Sequence, residues 1–137
     1  MTVPLASRPA VSSVPLRKDE EFPAATARDG WRYHHLGIPT KIPHPGEKHL
    51  PAFGLFVSGF ETSACGIEWM RYEEGSPVSE LIRTVPHIAF VVENLEAALA
   101  GKEILTGINS PSEGVRVAMI IENGAPIELM EFRGRRE

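Results

Sequence analysis

The chain has 137 residues, 42% of them hydrophobic, which is enough for one domain with its own core and too few for two independent domains. Its 14 basic and 18 acidic residues give a formal net charge of -4, which offers no general attraction to nucleic acid or to an anionic membrane. The single cysteine excludes an intrachain disulfide, and no apolar run is long enough for a membrane-spanning helix, so a cytoplasmic protein is expected.

The N-terminal residues 1–29 differ in composition from the remainder of the chain. Prolines recur there among serine, alanine and charged residues, and no helical or strand period persists. The sequence therefore predicts an extended N-terminal arm over residues 1–29 and a single domain over residues 30–137. Short apolar stretches in the arm, such as residues 14–16, are able to lie against the domain or a partner chain.

The first half of the domain is predicted to contain strands interrupted by a proline-rich loop. A strand over residues 33–38 ends at Pro39, which cannot donate a hydrogen bond to a ladder. A loop of about fifteen residues follows, because its prolines exclude a regular helix. Strands at residues 53–60 and 66–72 then form a hairpin, and residues 79–84 make one helical turn.

The second half is predicted to contain a strand, a helix and three more strands. Residues 87–92 are rich in β-formers, and the helix that follows has Asn94 as its N-cap and Gly101 as its left-handed C-terminal cap. After the helix we expect a strand at residues 104–105, a turn-rich stretch at 109–114, and strands at 115–121 and 126–132 joined by Asn-Gly.

The two halves repeat one arrangement of histidine and glutamate. HLGI, which begins at His35, matches HIAF, which begins at His87, and GIEWM around Glu68 matches PIELM around Glu128. The glutamate follows the histidine by 33 residues in the first half and by 41 in the second. The recurrence indicates an internal duplication that places a histidine in the first strand and a glutamate in the last strand of each half.

These four repeated residues, His35, Glu68, His87 and Glu128, are the candidate metal ligands. Each carboxylate lies on a strand that is otherwise apolar, and burial of an uncompensated carboxylate is costly, so each requires a partner. One divalent cation bound by two imidazoles and two carboxylates satisfies all four groups and leaves a neutral site. Nickel, zinc, cobalt or manganese is the expected ion, ahead of iron.

The segments HLGI, PHIAFVVENLEAAL and PIELMEF resemble the vicinal oxygen chelate superfamily, which includes glyoxalase I, methylmalonyl-CoA epimerase, extradiol dioxygenases and bleomycin-resistance proteins. The resemblance covers residues 31–132. It implies an α+β fold in which two βαβββ-type modules, at about residues 31–75 and 85–133, form a cupped mixed sheet. The first module lacks its helix, which the proline-rich loop replaces. The resemblance also implies that the metal ligands come from the first and last strands of each module, where the four candidates stand.

Four protein ligands on an octahedral ion leave two adjacent coordination positions, and two neighbouring oxygens of a small substrate can occupy them. This favours a metal-dependent, glyoxalase-like isomerase, epimerase or lyase that forms an enediolate-like intermediate, with Glu128 or Glu68 as the catalytic base. A ring-cleaving dioxygenase is one alternative, although it suits two histidines and one carboxylate better. A non-catalytic, ligand-sequestering protein of the bleomycin-resistance type is the other alternative.

The remaining histidines have less specific interpretations. Strand alternation predicts that His34 points away from His35 and packs against its neighbours. His44 and His49 lie in the proline-rich loop, where a surface position is expected ahead of a role in the pocket.

Three further interpretations concern the pocket and its surroundings. Glu68 has an alternative assignment as a carboxylate paired with Arg71. The side chains expected either to line a pocket or to belong to the core are Met70, Tyr72, Met130 and Phe132. A homodimer is expected, because the back of such a sheet and the missing helix leave apolar surface to cover.

Overall fold

The computed structural model describes Val11 and residues 13–134. Within these residues the fold is α+β, as predicted, and is built on one eight-stranded mixed sheet that curls into a cup. The helices are α1 (Ala24–Ala27), α2 (Glu80–Thr84) and α3 (Leu95–Leu99). The strands are β1 (Arg32–Pro39), β2 (Lys48–Leu50), β3 (Leu55–Ser58), β4 (Ile67–Tyr72), β5 (His87–Val91), β6 (Glu103–Ser112), β7 (Val115–Glu122) and β8 (Ala125–Phe132).

The strand order, β2-β3-β4-β1-β5-β8-β7-β6, shows the internal duplication directly. In each half the first strand pairs in parallel with the last, as β1 with β4 and β5 with β8. The two halves join through the antiparallel pairing of β1 with β5 at the centre of the sheet. The second half has a helix between its first two strands and the first half has none, so the predicted pair of modules is confirmed. The four candidate ligands consequently lie on the four central strands.

The proline-rich loop is shorter than predicted. Residues 48–50 form β2, which pairs with β3, and a 3-10 turn follows at Pro51–Phe53, so the expectation of an unbroken loop is wrong there. A three-residue strand has no period of its own, because its hydrogen bonds depend on a partner that is not local in sequence.

The loop that remains covers the outer face of the first module. The His44 ring stacks on Trp69 with 4.6 Å between centroids, and Glu47 accepts a hydrogen bond from Arg71 at 2.7 Å. Strand alternation places Trp69 and Arg71 on the face opposite Glu68. The loop thus contacts the sheet where a helix is missing, and Arg71 is engaged with Glu47 and not with Glu68.

The ends of the second-half elements mostly follow the sequence signals. The Asn94 side chain accepts a hydrogen bond from the backbone of Ala97 at 2.9 Å, as an N-cap does. Asn123 and Gly124 have φ angles of 53° and 81°, which is the left-handed pair that a tight hairpin turn requires. The predicted turn-rich stretch at 109–114 is wrong, because β6 continues to Ser112 with shifts in register that accommodate its irregular residues.

The hydrophobic core lies between α3 and the second half of the sheet. Leu95 of α3 is fully buried against Ile120 and Leu129. The start of α3 is held by the buried carboxylate of Glu131, which accepts hydrogen bonds from the backbone of Leu95 and from Arg116, both at 2.9 Å. This contact fixes the helix against β7 and β8.

The N-terminal arm is not extended throughout, since it contains the short helix α1 and the prediction of an extended segment is wrong there. Residues 1–10 and residue 12 lie outside the described part of the chain, and the division between arm and domain stays a prediction. In the described part of the chain, no helix combines the length and hydrophobicity that crossing a membrane requires.

Candidate metal centre

Three of the four predicted ligands converge at the centre of the sheet. Their candidate ligand atoms, on His35, His87 and Glu128, all lie within 4.8 Å of one another. The Nε2 atoms of His35 and His87 are each 3.2 Å from the same carboxylate oxygen, Oε1 of Glu128. The two imidazole rings meet edge to face at 5.5 Å. Two imidazoles and a carboxylate at this spacing can hold one divalent cation.

The strand register explains why these residues meet. Ala89 of β5 is the Cα partner of His35 on one side and of Glu128 on the other. Gly37 of β1 is likewise the partner of His87 and of Glu68. His35 therefore lies in line with Glu128 across Ala89, and His87 lies in line with Glu68 across Gly37. All four side chains share one face of the sheet.

The fourth candidate, Glu68, stands beside this group. Its Oε1 atom is 3.5 Å from Nε2 of His35, and it lines the same cavity. It is not part of the group that satisfies the 4.8 Å spacing. The structure thus brings three of the predicted ligands together and places the fourth against His35.

Gly37 is a functional residue that the sequence reasoning missed. A Cβ atom at this position would lie 2.2 Å from Cε1 of His87, so the imidazole occupies space that any other side chain would fill. The available signal was a glycine inside a strand, two residues after a candidate ligand, since such glycines often mark a close approach by another group.

His34 contradicts its prediction. The register between β1 and β5 shifts between Tyr33 and His35, and this irregularity brings the side chains of His34 and His35 to the same cavity. Their Nδ1 atoms are 2.7 Å apart, and the His34 ring stacks on Phe60 with 4.9 Å between centroids. His34 packs against a neighbour, Phe60, as expected. The prediction that its side chain points away from His35 is wrong.

The contact between the two Nδ1 atoms suits a metal-binding His35. A neutral imidazole that presents the Nε2 lone pair to a cation carries its proton on Nδ1, and Nδ1 of His34 can accept that hydrogen bond. His87 has no such support, because its Nδ1 is buried without a hydrogen-bond partner among the described residues. The orientation of His87 depends instead on Glu128 and on the space at Gly37.

The two carboxylates have opposite electrostatic environments. Burial by itself raises the pKa of Glu128, but hydrogen bonds from His35 and His87 outweigh it and lower that pKa. Burial also raises the pKa of Glu68, and the positive charge of His35 offsets this only in part. Burial opposes protonation of His35, yet the hydrogen bond and charge of Glu128 raise its pKa. Glu128 is thereby kept as an anion, and Glu68 accepts a proton more readily.

The centre opens into a cavity of about 590 Å³. Met70, Tyr72 and Met130 line it, whereas Phe132 is not among the lining residues and is 42% exposed. His44 and His49 do not line it either: His49 is exposed as expected, whereas His44 is half-buried against Trp69, so the surface position expected for it is wrong. His49 binds Glu73 at 2.9 Å on the exposed side of β2.

No protein-family model matches the chain, and no curated protein matches it. Several solved structures do match the chain. A hypothetical protein, BH1468 from Bacillus halodurans C-125, is 20% identical with a TM-score of 0.59, over 78% of this chain and 98% of its own. Methylmalonyl-CoA epimerase from Mycobacterium tuberculosis is 19% identical with a TM-score of 0.52, over 73% of this chain and 87% of its own. At identities below 25%, these likenesses show that the chain shares the fold of the two structures.

Proposed function

We propose that the chain is a metal-dependent isomerase, epimerase or lyase that acts on a small substrate bound through two adjacent oxygens. The observation that carries this proposal is the convergence of His35, His87 and Glu128 within 4.8 Å at the base of a cavity. A structural neighbour named as an epimerase lends support, because epimerisation removes and returns a proton beside a carbonyl.

The residues divide into ligands and a base. His35, His87 and Glu128 would hold the cation, which when bound would act as a Lewis acid on a carbonyl oxygen and make the neighbouring C–H more acidic. Glu68 is the proposed base, because it faces the cavity beside His35 and stands outside the three-residue group. A carboxylate that is not committed to the cation is free to take a proton from a substrate carbon and return it.

A second candidate function is a ring-cleaving dioxygenase. The three-residue group contains two histidines and one carboxylate, which is the ligand set that non-haem iron oxygenases use. With Glu68 off the metal, three coordination positions remain for two substrate oxygens and dioxygen. This reaction requires iron, so the identity of the metal separates it from the first proposal.

The first experiment is to measure the metal content of untagged protein by elemental mass spectrometry, beside the double variant His87→Ala/Glu128→Ala. The matched control is His49→Ala/Glu73→Ala, which removes a histidine–glutamate pair of similar geometry outside the cavity. We expect about one nickel, zinc, cobalt or manganese ion per chain in the wild type and the control, and none in the first variant.

Activity is then tested as deuterium exchange at the carbon beside the carbonyl in thioesters and hemithioacetals. Exchange that requires both the metal and Glu68 supports the proposal. Iron with oxygen consumption on a catechol would favour the dioxygenase. A wild type that stays empty after dialysis against each metal would overturn both, and would leave a protein that only sequesters a ligand.

A further inference from the structure

The wall of the cavity differs sharply from its base. The base carries the histidines and glutamates of the centre, together with His34. Most of the remaining lining residues are apolar, and the four polar ones, Tyr72, Ser79, Thr106 and Asn109, are uncharged. No lysine or arginine is among the lining residues in the described part of the chain.

Three arginines lie on elements around the cavity without lining it. Arg71 of β4 pairs with Glu47 on the outer face, and Arg116 of β7 pairs with Glu131 and Glu96. Arg83 of α2 donates a hydrogen bond from Nε to the backbone carbonyl of Val78 at 2.8 Å. None of these three arginines lines the cavity, so an anion against the wall would have no cation among the lining residues in the described part of the chain.

The centre itself supplies no spare positive charge. Two neutral histidines, two carboxylates and one divalent cation sum to zero. Burial and then the charges of Glu128 and Glu68 raise the pKa of the Tyr72 hydroxyl, and the charge of Arg83 opposes that rise. An anionic substituent in the cavity would lose its hydration without compensation, which is unfavourable.

We infer that the substrate is an uncharged, largely apolar molecule that presents two adjacent oxygens to the centre and buries an aromatic or branched aliphatic body against the cavity wall. The oxygen pair rests on the proposed function, whereas the apolar body rests on the wall alone. A volume of about 590 Å³ falls in the range of small-molecule sites and accommodates such a body.

The test uses a matched pair of probes, an alkylcatechol and the same molecule with a carboxylate at the end of its alkyl chain. Both are measured by displacement of Nile red, a neutral fluorescent dye, from metal-free protein, and then by calorimetry on zinc-loaded protein. We expect the neutral probe to bind at least about tenfold more tightly in both forms, since a buried carboxylate without a partner is strongly disfavoured. Equal or tighter binding of the carboxylated probe would overturn the inference.

A substitution in the cavity wall should reverse the preference between the two probes and show that the probes contact this wall. Val57→Arg places a cation on a strand that lines the cavity, and it should favour the carboxylated probe. Ile88→Arg is the control, because Ile88 is 39% exposed and does not line the cavity. If Val57→Arg fails to fold, the relative affinity of the wild-type protein for the two probes alone tests the inference. A preference for the carboxylate that vanished in Arg83→Met would assign Arg83 as an anion anchor and also overturn the inference.

The two proposals fail separately. Protein that binds none of nickel, zinc, cobalt and manganese would contradict the proposed function, while the preference in metal-free protein would still report on the wall. Zinc that binds, together with a preference for the carboxylated probe, would contradict the inferred substrate and leave the metal centre intact.

Discussion

Gly37 of β1 lies directly opposite His87 of β5, and the His87 imidazole occupies the volume where a side chain at Gly37 would begin. A Cβ atom at Gly37 would stand 2.2 Å from Cε1 of His87. Because Nδ1 of His87 has no hydrogen-bond partner in the described structure, the ring is held by this space and by the contact of its Nε2 with Glu128. The conformation of one candidate ligand thus depends on the absence of a side chain on the neighbouring strand.

Gly37→Ala should therefore displace His87 and weaken metal binding by at least about tenfold, with a loss of about 1–3 kcal/mol in stability from overpacking. Metal affinity by calorimetry and chemical denaturation measure the two effects. The control is Gly107→Ala on β6, where an added Cβ meets nothing within 4 Å. Unchanged metal affinity in Gly37→Ala would show that His87 is not a ligand in this orientation.

His34 should act through the tautomer of His35. His34→Phe keeps a ring to stack on Phe60 but removes the hydrogen-bond acceptor, and metal affinity should fall about tenfold to a hundredfold. His34→Asn retains an acceptor near the position of Nδ1 and should preserve most of the affinity. Calorimetric titration with zinc compares the variants, and equal affinities for the two would refute the role.

The two central glutamates should have separable effects. Glu128→Gln removes the carboxylate that both imidazoles contact, and metal binding should be lost. Glu68→Gln should keep the metal but lower deuterium exchange about a hundredfold or more, as expected for loss of a catalytic base. Metal analysis and proton NMR of the substrate distinguish the outcomes. Exchange at the wild-type rate in Glu68→Gln would shift the role of base to Glu128.

Stability should fall in acid through the carboxylates that bind Arg116. Hydrogen bonds from Arg116 lower the pKa of Glu131 and hold the pKa of Glu96 at about 2. A carboxylate whose pKa is lowered by folding stabilises the protein above its unfolded pKa and loses that contribution as the pH falls towards its folded value. The free energy of unfolding should therefore decrease from about pH 5 to about pH 2.

Arg116→Met should flatten this dependence, and Glu131→Ala should cost about 2 kcal/mol at neutral pH by releasing the start of α3. Denaturation curves between these pH values measure both effects. A wild-type stability that is constant over the acidic range would contradict the assignment.

A homodimer is the expected assembly. Apolar side chains at Ile88, Ile104, Ile108 and Phe132 are more than one-third exposed. Light scattering should give a mass of twice the 15.0 kDa chain. A single-chain mass at micromolar concentration would refute the expectation, and Ile104→Glu would test whether the β6 edge takes part.

The sequence predicted the convergence of His35, His87 and Glu128 better than the surroundings of these residues, for a physical reason. The duplication marks His35 and His87 at the same point of two strands, and strand alternation then orients them correctly. The direction of His34 was missed because an irregularity in backbone register, set by pairing with β5, overrides alternation.

The same limit applies to the sheet edges. β2 and the far end of β6 exist through pairing with β3 and β7, and no period in their own residues encodes that pairing. Local signals that do not depend on distant partners, such as Asn94 and the Asn123-Gly124 turn, were predicted correctly.

The four outer strands of the sheet contribute residues to the cavity wall and hold none of the candidate ligands. The candidate ligands and base lie on β1, β4, β5 and β8, whereas wall residues such as Leu50, Val57, Asn109 and Met119 lie on β2, β3, β6 and β7. Substitutions on the outer strands can therefore change the cavity wall and leave the geometry of the candidate metal centre intact. Mutations on these four outer strands are therefore a way for such a protein to acquire new substrates during evolution. A laboratory library confined to the same strands would sample the same changes.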